Sequence, residues 1–122
     1  MKEKDFSVTF RHWIKANPRL SGSYEIKDTR GKNYLPFSEV GEHQINYGLA
    51  VNSDKGVLIR VQAISGGEPD YVYLRNAPAY IVIKYPKFFC IIDVGTFDLE
   101  RKRSKTKSLT SSRAKELSTV VV

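Results

Sequence analysis

One cysteine, two histidines and no long apolar run are what this chain of 122 residues has least of. Each scarcity removes a class of protein. A single cysteine, Cys90, cannot close an internal disulfide, so nothing requires an oxidising compartment. Its place in a strand-like run, Phe88–Val94, makes packing its expected role. One Cys and two separated His, His12 and His43, do not build a usual zinc site. No apolar stretch approaches the roughly twenty residues that span a bilayer, and Met1 to Asp5 lacks the apolar segment of a secretory leader. We therefore expect a cytoplasmic protein with no membrane partner. No Gly-rich phosphate loop or Ser-His-Asp spacing stands out, and long repeats and low-complexity blocks are absent.

Acid is missing from one stretch in particular. The formal net charge is +7. Between Arg101 and Lys115 lie Arg101, Lys102, Arg103, Lys105, Lys107, Arg113 and Lys115 with no Asp or Glu, while the rest of the chain holds as many acids as bases. A basic, Ser/Thr-rich segment is suited to the phosphate backbone of DNA; the plain alternative is a solvated tail. The length suits one domain with enough chain for a core. We divide it into an α/β body, residues 1–100, and a basic C-terminal segment, residues 101–122.

What is present begins with an amphipathic helix over Asp5–Ala16, with Phe6, Phe10, Trp13 and Ile14 on one face and Asn17-Pro18 ending it. Tyr24-Glu25-Ile26-Lys27 follows as a strand. Alternation places Glu25 and Lys27 on one face and Tyr24 and Ile26 on the other, in packing. A carboxylate and an amine so placed suit phosphodiester hydrolysis: the acid holds a divalent metal, and the lysine positions water and offsets charge on the phosphate. An exposed strand carrying a salt bridge gives the same pattern. After the polar loop Asp28–Asn33, a helix is expected from Ser38, its N-cap, to about Val51. Phe37, Val40, Gln44, Tyr47 and Val51 form its stripe. Gln44 is thus a polar group on the buried face, needing partners. They are either a backbone group at the helix–sheet contact or the Glu25–Lys27 strand and its metal. Strands are expected near Gly56–Ile64, Tyr71–Arg75, Ala79–Tyr85 and Phe88–Val94, with a right-handed crossover joining the Glu25 strand to Val57–Ile64. A short helix over Ser108–Leu117, capped by Ser or Thr, and an apolar end, Ser118–Val122, pairing with a sheet edge, complete the order. The class is α/β, a small mixed sheet flanked by helices.

The run YEIKDTRGKNYLPFSEVGEHQINYGLAV, with GVLIRVQ and DYVYL after it, resembles the RecU-type Holliday junction resolvases of the PD-(D/E)XK nuclease superfamily. The E-x-K strand, Thr29 two residues on, Pro36-Phe37 before the helix and His43-Gln44 within it carry the likeness, over residues 22 to 85. The resemblance implies a restriction-endonuclease-like core, Mg2+ (or Mn2+) at Glu25, Gln44 steadying the site, and a homodimer, phage-type and compact, that cuts four-way DNA junctions.

One feature of that family is displaced. Its members place a metal-binding Asp on a strand before E-x-K, and here the first helix fills that space. Asp70, in Ser65-Gly66-Gly67-Glu68-Pro69-Asp70, is the substitute: a "PD" at a strand start resembles other branches of the superfamily, including archaeal junction resolvases. Those branches put E-x-K after the PD, where this chain has Ile81-Val82-Ile83-Lys84. Glu and Asp thus stand in swapped order, unless Asp70 is simply a turn residue and Glu3 or Asp5 supplies the acid. The expected site is Glu25, Lys27, Asp70 and Gln44. A DNA-binding or assembly protein that kept the fold without catalysis is the rival reading.

Overall fold

Residues 3–20, 22–61 and 67–122 are described in the computed structural model. Helix α1 (Glu3–Lys15) leads to strand β1 (Ser23–Asp28) and a short strand β2 (Tyr34–Pro36). After α2 (Glu42–Asn52) come β3 (Val57–Val61), β4 (Asp70–Leu74), β5 (Ala79–Tyr85) and β6 (Phe88–Asp93). Helix α3 (Val94–Arg103), β7 (Ser108–Thr110), α4 (Ser111–Leu117) and β8 (Val120–Val121) finish the chain. The main sheet has the order β1-β5-β6-β8. Only β1 and β5 run parallel. It is the small mixed sheet flanked by helices that the sequence pattern predicts.

The centre of the sheet is β5 and β6, two runs rich in β-branched residues that are buried on both faces, as continuous apolar strands are. One face packs Ile81, Ile83, Tyr85, Cys90 and Ile92 against Ile45, Val51, Phe97 and Leu109. The other packs Val82, Phe89 and Ile91 against Phe6 and Phe10 of α1, with Trp13, Ile14, Tyr24 and Ile26 at its margin. Cys90 is fully buried, and burial pushes its thiol up to about 11, an unreactive packing group.

Three expectations need correction. The helix expected from Ser38 is broken. Phe37–Glu39 make a single 3-10 turn, and Val40, only 3% exposed, goes extended to reach the core, so α2 starts after Gly41. Its phase is thereby reset. Its buried residues are Ile45, Gly48 and Val51, while Tyr47 turns outward at 44% exposed. Gly48 is required where α2 meets α3, since a Cβ there would lie 2.9 Å from Val94 Cγ2. The crossover from β1 also leads elsewhere. Its parallel partner is β5, in register Ser23 with Ala79 to Asp28 with Lys84. Strands β3 and β4 form a separate hairpin, with Val57 and Leu74, at its near end, packed on the core. The expected strand end at residues 62–64 lies outside the described residues.

The segment after residue 100 joins the same core. Leu109 and Ala114 are buried, and Tyr85 donates its hydroxyl to Leu109 O at 2.9 Å. Thr110 caps α4 by accepting from Arg113 N, and the apolar end pairs with β6. Asp98 is the buried charge of this region. Burial alone pushes its carboxyl up, but hydrogen bonds from Lys102 and Arg101, with their charges, outweigh that and hold it below the usual carboxylate value. Its folded pKa being depressed, the stability it contributes is present above the unfolded value of about 3.9 and is lost as pH falls through the folded one. Asp98→Asn is expected to cost about 1–3 kcal/mol at neutral pH, a gap that narrows in denaturant melts near about pH 3. An equal gap at both pH values would show that its ionisation does not stabilise the fold.

Candidate functional site

The parallel register aligns Glu25 with Ile81 and Lys27 with Ile83, so both side chains stand on the sheet face covered by α2. Strand β1 is the sheet edge, bonded on one side only. Gln44 comes down from the first turn of α2. Its Oε1 accepts from Gly41 N at 2.9 Å, closing the helix start, and its Nε2 donates to Glu25 Oε1 at 2.8 Å. Gln44 therefore bonds both a backbone group of its own helix start and the Glu25 strand. Lys27 Nζ lies 3.4 Å from the same Glu25 oxygen. The side chains are 14% exposed for Lys27 and 33% for Glu25, unlike a solvated surface pair. A cleft of 510 Å³ opens beside them between β1, β5 and α2, with Glu25, Gln44, His43 and Tyr47 on its wall. Tyr47 reaches the cleft from the same stripe of α2 as Gln44.

The other candidate acids lie on other elements. Asp70 opens β4, opposite Val61, at the end of the hairpin farthest from the Val57–Leu74 pair that packs on the core. Its side chain lies outside what is described, as does that of Glu3. Asp5 is exposed on α1, and α1 packs on the Tyr24–Ile26 face, opposite Glu25. Among the described residues no group of three or more His, Cys, Asp or Glu could by itself hold a metal ion. Glu25 offers one carboxylate. That fits Mg2+, which keeps several waters and takes one or two carboxylates together with substrate phosphates.

The basic segment is more committed than its composition implies. Arg101 pairs with Asp98 and Glu42, Lys102 with Asp98, and Arg113 with Glu100 and Glu116. Hydrogen bonds from Arg113 hold Glu100 below the ordinary carboxylate value, and the same interactions raise Arg113. Lys115 sits 4.6 Å over the Phe88 ring. Asp98 lies just outside the acid-free window, at the i,i+3 and i,i+4 spacings from Arg101 and Lys102 that could have revealed those pairs. Arg103, Lys105 and Lys107 are the members without such pairs among the described residues. Replacing these three with Ser is expected to flatten the slope of log K against log salt by about 0.9 for each phosphate of duplex DNA that they neutralise. An unchanged slope would show that the segment does not touch DNA.

Compared with protein-family models, curated proteins and solved structures, the chain matches none.

Proposed function

We propose that this chain is a metal-dependent, structure-selective DNA endonuclease that resolves four-way junctions by phosphodiester hydrolysis, working as a homodimer whose two-fold symmetry suits the junction. The observation that carries the proposal is the Gln44–Glu25–Lys27 cluster: a half-buried carboxylate oriented by an amide, with an amine beside it at the edge of a cleft. The order of E-x-K strand, α2 and parallel partner β5 supports the finer assignment of a restriction-endonuclease-like core.

In this reading Gln44 fixes the Glu25 carboxylate, and Lys27 orients water and offsets the charge that builds on the phosphate. Glu25 would be the residue that holds Mg2+ (or Mn2+), which would supply further charge neutralisation and a more acidic water. Asp70 is proposed as a second acid. The rival reading is a DNA-binding protein without turnover.

The test is Mg2+-dependent cleavage of a synthetic four-way junction beside a linear duplex of the same sequence. Cutting of the junction alone is the expected result. Equal cutting of both would mean a general nuclease, and binding with no cutting would establish the rival.

A further inference from the structure

We propose that the turn after β1 is a phosphate-binding subsite for the DNA backbone, set beside the Glu25–Lys27 cluster. The inference rests on the endonuclease reading only for the identity of the polymer; the phosphate chemistry stands on the turn itself.

The turn is built rather than loose. Thr29 is 5% exposed, and its backbone N and Oγ1 both donate to Lys84 O, at 3.0 and 2.9 Å. Asp28 Oδ1 accepts from Arg30 N at 2.7 Å. Arg30 then takes a φ of +56° and Gly31 one of +85°. Glycine is at ease there, but arginine lacks the short polar side chain that lets Asn or Asp tolerate this region. A strained non-glycine residue held by surrounding bonds points to function.

Its walls have the chemistry of an anion site. A pocket of 140 Å³ is lined by Lys27, Arg30 and Lys32, with Tyr34 and the two acids Asp28 and Glu39. Lys32 Nζ is held 5.7 Å over the Tyr34 ring. The Arg30 guanidinium has no ion pair among the described residues, as is also true of Arg11, Arg19, Arg60 and Arg103. Asp28 turns inward: one oxygen takes Arg30 N, and the other is buried away from solvent. Lys27 is shared with Glu25, so Arg30 and Lys32 are the cations left to meet a phosphate. The volume suits a phosphate with its waters and is well below the roughly 300 Å³ at which pockets for larger organic ligands begin.

Position links the pocket to the cluster. Lys27 lines it and also pairs with Glu25, so a phosphate here lies next to any phosphate at the cleft. The turn stands at the carboxyl ends of the parallel pair β1 and β5, the end at which open α/β sheets bind ligands. On its far side Phe37 N donates to Lys107 O at 2.9 Å, which brings the backbone of the unpaired basic stretch alongside.

The test follows inorganic phosphate titrated into the full chain, without metal, by the backbone amide signals in NMR. Saturable shifts are expected at Thr29, Arg30, Gly31 and Lys32 in the millimolar range. In the double variant Arg30→Gly, Lys32→Ser they should weaken by about tenfold or more, because charged hydrogen bonds are removed. Glycine accepts the left-handed backbone, so the fold should persist, and unchanged signals elsewhere will report it. A second arm measures short duplex DNA with metal chelated, where the salt slope of the variant should fall by about 0.9 for each phosphate it no longer neutralises. Shifts that avoid the turn, or that survive in the double variant, overturn the subsite. Phosphate binding at the turn with an unchanged DNA slope overturns its assignment to the DNA backbone. Neither arm needs turnover, so a chain that binds both probes here yet never cuts DNA upholds the subsite and overturns the endonuclease reading alone.

Discussion

Glu25→Gln is expected to abolish junction cleavage, by about 10³-fold or more, while leaving the fold and DNA binding in place. Glutamine keeps an oxygen where Gln44 Nε2 now donates, so the bond from α2 to β1 survives. What disappears is the charge. A neutral amide is a poor ligand for a hard cation, and Glu25 is the one described carboxylate in the cluster. Removing a negative group beside the phosphate should leave binding unchanged or tighter. The measurement pairs a binding assay in chelator with cleavage in Mg2+. Retained Mg2+-dependent cutting would remove Glu25 from the site.

Lys27→Ala should come next in size, with a loss of about 10² to 10³ in kcat and little change in affinity for the metal. An amine that acts on charge developing in the transition state lowers the barrier without tightening the ground state. Lys27→Arg should restore only part of the rate. The side chain is 14% exposed, so the larger planar guanidinium has little room, and its donors are differently placed. A surface salt bridge predicts something else: near-normal turnover in both variants. Near-normal turnover in Lys27→Ala would therefore reduce the cluster to an ion pair.

Much of this molecule was legible in its sequence for reasons that can be named. Helix α1 was readable because Phe6, Phe10, Trp13 and Ile14 repeat at helical spacing and Pro18 stops the run. Strands β5 and β6 were readable because apolar, β-branched runs of that length fit buried strands. The meeting of Gln44 with Glu25 was foreseeable from a polar group falling on a buried face. The start of α2 was not, because Ser38 offers a good cap that the burial of Val40 overrides. Nor was the partner of β1. Sequence order suggested the next strand, β3, but a hairpin intervenes, and only the pairing with β5 shows it. The neutralisation of Arg101 by Glu42 is an ion pair across the fold, invisible to any count of neighbouring charges.

That pairing of β1 with β5 also fixes when the site can exist. Glu25, Lys27 and Gln44 all lie in the first half of the chain, yet the strand carrying two of them has no strand partner until Ala79–Tyr85 has been made. Pairings of such long sequence separation form slowly, since loop closure must precede any reward. While the chain is being synthesised, β1 has two open edges, and the apolar stripe of α1 is the nearest cover for one face. A chain terminated at Pro78 would hold every residue of the cluster but not the strand that sets the register of Glu25 and Lys27.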